Sequence, residues 1–277
     1  IMNSVLGVLV LYKCKLVDSE TFISLNKALE TNNLKLDLFV YDNSHISDDS
    51  VNKQSYRSLH ITYVHDKTNP GICKPYNIAL QIAKAKNRKW LLLLDQDTCL
   101  TSEYIYELNN TIETKSNYVS IIPLTYSKDK IVSPTRYDFL GRMKPIRIGE
   151  AKRVVENITA INSGACVNVD FLTEIGGFNK DFPLDMLDHW LNYEINKRNE
   201  QIFVMNSKLF HNLSVSEYES LSIDRFEMIL KAEKKFYLIY SKKYYKILLK
   251  IRLLLRCILF LITGRFNFMV TILRNIK

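Results

Sequence analysis

No two of the chain's five cysteines (Cys14, Cys73, Cys99, Cys166 and Cys257) form a C-x-x-C pair, and their number is odd. That spacing argues against a disulfide framework or a cysteine-built zinc site and for a reducing compartment. Neither G-x-G-x-x-G nor G-x-x-x-x-G-K-[ST] occurs, so neither a dinucleotide fingerprint nor a P-loop is indicated. Near the C-terminus Arg252 and Arg256 interrupt the apolar sequence, and the uninterrupted "CILFLIT" falls far short of the ~20 residues a spanning helix needs. The opening "IMNSVLGVLVLYKCK" lacks a basic leader region and a small-residue cleavage site, and reads as a first core strand. Acid is missing from one region altogether: residues 241–277 hold nine Lys and Arg and no Asp or Glu. Those nine equal the whole formal charge of +9, so residues 1–240 are neutral, with 29 basic and 29 acidic side chains. A neutral body with a basic tail meets polyanions or anionic membranes through the tail.

The 277 residues, 47% of them hydrophobic, suffice for one large core. Strand and helix signals alternate. "SVLGVLVLY" (4–12), "LKLDLFVYD" (34–42), "HITYVHD" (60–66), "KWLLLLD" (89–95) and "YVSIIP" (118–123) read as strands. Between them, Asp18-Ser19 opens a helix to about Glu30. "KPYNIALQIAKAKN" starts another, with Pro75 at its first position and Ile78, Ile82 and Ala85 on one face. "SEYIYELNNTIETK" (102–115) is a third, capped by its serine. This order predicts right-handed βαβ units and a mainly parallel sheet buried on both faces.

"LLLLDQDT" (91–98) drives an apolar strand straight into two acids. Ligands of open α/β sheets lie beyond the carboxyl ends of the strands, so Asp95 is delivered to the binding edge. If Asp95-Gln96-Asp97 stays extended, both carboxylates project to one side, as Mg²⁺ or Mn²⁺ requires. The competing reading makes both acids caps of the following helix. "VYDNS" puts Asp42 on the same edge, and "NPGICKPYN" adds Asn69, Gly71, Lys74 and Asn77. A nucleotide across that edge needs a base contact, a ribose contact and neutralisation of its diphosphate; Asp42, Asp95 and an ion at Asp97 are placed to supply them in that order.

"YDNS", "NPGICKPYNIAL", "LLLLDQDT" and "NSGACVNVDFLTEIGGFNKDFPLDMLDHWLNYEI" (162–195) together resemble the family 2 glycosyltransferases, over roughly residues 4–215. Within that family the D-Q-D form and the N-x-G-I-x-x-x-x-N loop look most like bacterial rhamnosyltransferases of surface-polysaccharide assembly. The resemblance implies a GT-A fold: a Rossmann-like mixed, mainly parallel sheet flanked by helices. It implies inverting, Mg²⁺- or Mn²⁺-dependent transfer from a nucleoside-diphosphate sugar to an acceptor hydroxyl. By the same resemblance Asp42 contacts the base, Asp95 and Asp97 the ribose and metal-diphosphate, and Asp188 is the general base. His211 matches a histidine that ligates the metal, against the competing reading of a packed strand-end imidazole. Asp185, three residues before Asp188, rivals it as base but reads better as a residue preceding or capping the helix. Ser163, Gly164, His189 and Trp190 are expected on the acceptor side. Lys74-Pro75-Tyr76 and His189-Trp190 depart from the family pattern.

The expected organisation is a catalytic domain over 1–220, with a nucleotide half to about 123 and an acceptor half from about 124, then a helical extension over 221–277. From "RFEMILK" onward one or two long helices are expected. On a helical wheel begun at Lys242 the cations to Arg256 fall on one half, and Ile247, Leu248, Ile251, Leu254, Leu255, Ile258 and Leu259 on the other. Such a helix suits the plane of an anionic membrane, which predicts a cytoplasmic enzyme held at the inner face of the cell membrane; the alternative packs the apolar half on the body or on a second protomer. The first donor expected is dTDP-L-rhamnose, with a UDP-hexose or UDP-N-acetylhexosamine behind it, and the acceptor a glycan, on a lipid by virtue of the tail. Nucleic acid is not an expected partner, since no helix-turn-helix, RRM or KH signature accompanies the cations. A sugar-phosphate nucleotidyltransferase would need a glycine-rich loop after the first strand, which "VLYKCKLVDSE" lacks. A non-catalytic module would not need acids at 42, 95, 97 and 188.

Overall fold

A computed structural model describes residues 2–51, 54–114, 117–138, 142–146, 158–211, 221–241 and 243–275. In chain order the elements are β1 (Val5–Leu11), α1 (Glu20–Thr31), β2 (Leu36–Asp42), β3 (Leu59–His65), α2 (Cys73–Ala85), β4 (Trp90–Asp95), β5 (Thr98–Cys99) and α3 (Ser102–Glu113). There follow β6 (Tyr118–Ser127), β7 (Lys130–Ser133), β8 (Thr135–Tyr137), β9 (Met143–Pro145), β10 (Ile158–Thr159), β11 (Cys166–Asn168) and α4 (Val169–Glu174). The chain continues through α5 (Leu187–Lys197), β12 (Gln201–His211), α6 (Ile223–Tyr240), α7 (Lys243–Ile262) and α8 (Phe266–Asn275).

The main sheet runs β3-β2-β1-β4-β11-β6-β12-β5, with β7 on β6. Its first four strands are parallel, as the alternating pattern requires, and β11 enters antiparallel between β4 and β6. A separate three-stranded antiparallel sheet runs β10-β8-β9. The architecture is the GT-A arrangement the resemblance implied.

The four leucines of β4 are each wholly buried because the strand has helices on both faces. Leu91 and Leu93 join the layer of Tyr76, Ala79 and Ala83 from α2, while Leu92 and Leu94 join that of Phe22, Leu25 and Leu108 from α1 and α3. Alternate side chains feed two cores, which is why the strand is apolar throughout rather than at every second position. Their burial is worth on the order of 6–12 kcal/mol as an upper bound.

Local chemistry sets the helix starts. The Ser19 side chain caps α1 by accepting from the Phe22 amide. The cap of α3 is Thr101, accepting from Tyr104, and not Ser102, which is already helical. Since those roles go to Thr101, neither Asp95 nor Asp97 caps α3. Helix α2 begins two residues before Pro75 and buries Tyr76, Ala79, Leu80 and Ala83; Ile78 and Ile82 are only partly covered and Ala85 is exposed. Strand β6 extends to Ser127, past the expected Pro123. The predicted end of the third helix, Lys115, and the cations Lys242 and Lys277 lie outside the described residues, as does the side chain of Lys243.

The C-terminal segment forms three helices rather than one or two. Phe226, Leu230 and Phe236 of α6, Leu249 and Leu253 of α7 and Ile272 of α8 belong to the same hydrophobic cluster as β1, β4 and α2. Among the described residues no helix is long and apolar enough to cross a membrane.

Candidate functional site

Strand register brings the acids to one edge. Asp42 pairs in register with Leu11 and His65, and Asp95 with Val10, so both acids finish level with the end of β1. Beyond Asp95 the chain does not stay extended: Gln96 and Asp97 form a turn before β5. That turn is pinned from α1 and β1. The Gln96 carboxamide accepts from the Tyr12 amide (2.8 Å) and donates to the Tyr12 carbonyl (3.2 Å). Ser19 Oγ donates to the Gln96 carbonyl (2.8 Å), and Thr21 Oγ1 bridges Asp95 O, Thr98 O and the Thr98 amide. Tyr12, Thr21 and Gln96 escaped the sequence reading, and Ser19 was read only as opening α1. Gln96 was visible between its two acids, but its partner lies 84 residues away.

Asp97 is 38% exposed while His211, at the end of β12, is 9% exposed. His211 Nδ1 lies 2.9 Å from Thr98 Oγ1 and 3.4 Å from Asp97 Oδ1. Thr98 in turn meets Ser163 Oγ at 2.6 Å. Nδ1 of His211 is thus committed to Thr98 and Asp97. Ser163 is therefore a fully buried support beneath His211. Next to it, Gly164 takes φ +78 and a Cβ there would come within 2.3 Å of Leu209 Cδ1. This small-residue turn precedes β11.

Burial pushes the Asp95 carboxyl up to about 6, against the pull of His211 and helped by the negative charges of Asp97 and Asp188. Burial likewise drives the Tyr76 hydroxyl well up, with Asp95 and Asp188 adding to it. These mutual influences place Tyr76, Asp95, Asp97, Asp188 and His211 around one centre. Tyr76, fully buried at the start of α2, is the member that sequence reasoning saw only as a departure from pattern. Among the described residues no three His, Cys, Asp or Glu side chains converge closely enough to hold a metal unaided. Asp95 and Asp97 supply two carboxylates, hard donors of the kind a divalent cation takes together with water and substrate phosphate.

Asp188 lies in the first turn of α5, and its carboxylate accepts from the His189 amide (2.8 Å). The preceding segment is anchored twice. Pro183 O accepts from the amides of Ile72 (2.8 Å) and Cys73 (3.0 Å), tying it to the start of α2. Asp185 is clasped by both terminal nitrogens of Arg225 from α6, at 2.7 Å for Nη2. After both anchors Met186 takes φ 64, a left-handed conformation rare for a large side chain, and turns the chain into α5.

Asp42 is 1% exposed and accepts from Tyr63 Oη (2.7 Å) and the Ser44 amide (2.8 Å). Lys74 pairs with Asp66 at 2.7 Å and, with Thr68 and Tyr41, holds that carboxyl far below the usual range. Asn69, at φ 47, closes a turn by donating to Asp66 O (3.3 Å), and Gly71 has φ +81 and a Cβ position 2.2 Å from Pro183 O. Asn77 spends its carboxamide on the Phe178 backbone, donating at 2.9 Å and accepting at 2.8 Å. It locks the double-glycine turn, in which Gly176 follows the end of α4 with φ +83. His189 meets Tyr137 Oη at 2.9 Å, and Trp190, 5% exposed, sits in the core.

Against known proteins, the family model described as glycosyl transferase family 2 matches residues 20–172, more than half the chain. That stretch contains Asp42, Asp95, Asp97 and Ser163 and stops before Asp188 and His211. A search of curated proteins gives no match.

Proposed function

The chain belongs to glycosyl transferase family 2 and uses a nucleotide-sugar donor and an acceptor, and on that premise we propose that it transfers the sugar with inversion, Asp188 serving as general base. The observation that carries this reading is the contrast between Asp185 and Asp188. Asp185 is neutralised by Arg225, whereas among the described residues no cation pairs with Asp188, whose charge reaches Asp95 across the site.

In the step, the acceptor oxygen attacks the anomeric carbon from the face opposite the diphosphate. Its proton passes to the Asp188 carboxylate as the new C–O bond forms, and the bond to the phosphate oxygen breaks with its electron pair leaving on the nucleoside diphosphate. General base catalysis of this kind supplies about 10²–10⁴ in rate. Asp95 and Asp97, with His211 beside them, would hold Mg²⁺ or Mn²⁺, which when bound neutralises charge on the departing diphosphate. Asp42, Asn69, Gly71 and Lys74 border the nucleotide side. We assign dTDP-L-rhamnose as first donor from the resemblance of "NPGICKPYN" and "LLLLDQDT" to rhamnosyltransferases; a UDP-hexose or UDP-N-acetylhexosamine is the alternative.

Helix α7 supports a lipid-linked acceptor of a bacterial surface polysaccharide. It docks through Leu249, Leu253, Cys257 and Phe260, all buried. These lie within the cationic half of the wheel, where Arg256 pairs with Glu233 at 2.6 Å and Arg252 stacks 4.7 Å above Tyr237. The other half, with Ile247, Ile251, Leu254, Leu255, Ile258 and Ile262, is 47–77% exposed. The aliphatic face expected to seek either membrane or body is thus turned away from the body. Beside Lys250 and Arg274, also exposed, it suits the headgroup boundary of an anionic cytoplasmic leaflet.

The test is thermal unfolding with dTDP, UDP or GDP, with and without Mn²⁺. One nucleotide should stabilise the chain, and more so with the cation, because a ligand of the native state adds stability by mass action. No stabilisation by any of the three would overturn the enzymatic reading.

A further inference from the structure

We propose that the cavity between the small sheet and helices α5, α6 and α7 binds a pyranose unit of the acceptor, stacked on tyrosines. This rests on the role given to Asp188, and it places the acceptor sugar in a site that the C-terminal helices complete.

The cavity measures about 520 Å³, within the roughly 300–1,000 Å³ of small-molecule sites. Its aromatic wall combines Tyr137 of β8, Tyr193 of α5, Phe236 and Tyr240 of α6, and Tyr244 and Tyr245 of α7. The rings brace one another: Tyr193 meets Tyr240 edge-on at 5.2 Å, Tyr240 stacks on Phe236 at 5.9 Å, and Tyr245 lies 5.9 Å from Tyr137. Around them stand Arg136, Asp138, Asn196 and Lys197.

Flat apolar faces bounded by charged and amide edges match a pyranose, which has C–H faces and a hydroxyl rim. A bare hydrocarbon would desolvate those edge groups without replacing their hydrogen bonds. The position is also right. His189, next to Asp188, lines the cavity and is held by Tyr137 at 2.9 Å. Asp188 is close enough to add to the upward push that burial and Tyr237 give the Tyr137 hydroxyl. At the other end the rim residue Tyr244 is 43% exposed, and Ile247 and Ile251 follow it one and two turns along α7. A sugar in the cavity would have its reacting hydroxyl toward Asp188 and any attached lipid along the exposed face of α7.

The experiment is saturation-transfer NMR on the full chain with methyl α-L-rhamnopyranoside, methyl β-D-galactopyranoside and octyl β-D-glucopyranoside. At least one should bind. Tyr193→Phe should retain binding, while Tyr193→Leu and Tyr245→Leu should each weaken it about three- to tenfold, the worth of an aromatic contact. Circular dichroism melts establish that the variants are folded. Binding by none of the three sugars, or binding indifferent to both leucine variants, overturns the proposal. Nucleotide stabilisation of the wild-type chain is scored separately: sugars bound in the cavity without any nucleotide response would leave the cavity assignment standing and remove the transferase mechanism.

Discussion

Arg225 holds both carboxylate oxygens of Asp185, 40 residues away in the chain. One of two neighbouring acids is thereby committed to structure, and the other, Asp188 in the first turn of α5, is the one proposed as general base. Helix α6 thus fixes the segment leading into α5, the helix on which the proposed base lies.

The two acids should separate in kinetics and in stability. Asp188→Asn should lower kcat by about 10²–10⁴ while nucleoside-diphosphate binding persists. Asp185→Asn should instead cost about 1–2 kcal/mol of stability, read as a lower melting temperature, through loss of a charge-assisted pair. Comparable turnover by purified Asp188→Asn and wild type would sink the assignment.

Gly71→Ala should be harmful although Gly71 touches no acid. Its Cβ would fall 2.2 Å from the Pro183 carbonyl at a φ of +81, and both facts demand glycine. The start of α2 and the Pro183–Asp188 loop must then separate. We expect at least about 2 kcal/mol of destabilisation, together with a fall in kcat as Asp188 shifts. A melt and a turnover assay indistinguishable from wild type would refute the coupling.

The Asp95 carboxyl gives stability a pH dependence of known sign. Its folded value of about 6 stands above the unfolded 3.8, so the native state holds a proton that the unfolded chain releases. The contribution is therefore fully present below about pH 4 and is lost as pH rises through about 6. Relative to Asp95→Asn, wild type should lose stability across that window, by on the order of 2 kcal/mol. Parallel melting curves for the two chains from pH 4 to 7 would disprove it.

Membrane binding should depend on the outward face of α7. Truncation near residue 240 is a poor test, because Leu249, Leu253, Phe260 and Ile272 share the core with the catalytic sheet. Leu254→Asp with Ile258→Asp, both about half exposed, leaves that core intact. Flotation with phosphatidylglycerol-containing vesicles should recover wild type and not the double variant. Equal recovery of both would remove the membrane reading.

Much of the parallel half of the sheet was legible in the primary structure. Strands ending in Asp42 and Asp95, and the cap at Ser19, follow from short-range periodicity and from chemistry within a few residues. The turn at Gln96-Asp97 was not legible, because its hydrogen bonds come from Tyr12, Ser19 and Thr21. Asn77 and Gly71 were read toward the ligand, and their contacts with Phe178 and Pro183 span about a hundred residues.

Order and composition alone established the parallel βαβ half, its acidic carboxyl-terminal edge and a basic tail too interrupted to span a bilayer, since each depends on neighbours along the chain. Folding in three dimensions determined which aspartate Arg225 neutralises, which of two apolar stripes on α7 meets the body, and that the tyrosines near residue 240 surround a cavity. Those outcomes depend on pairings between distant segments, whose geometry no local pattern encodes.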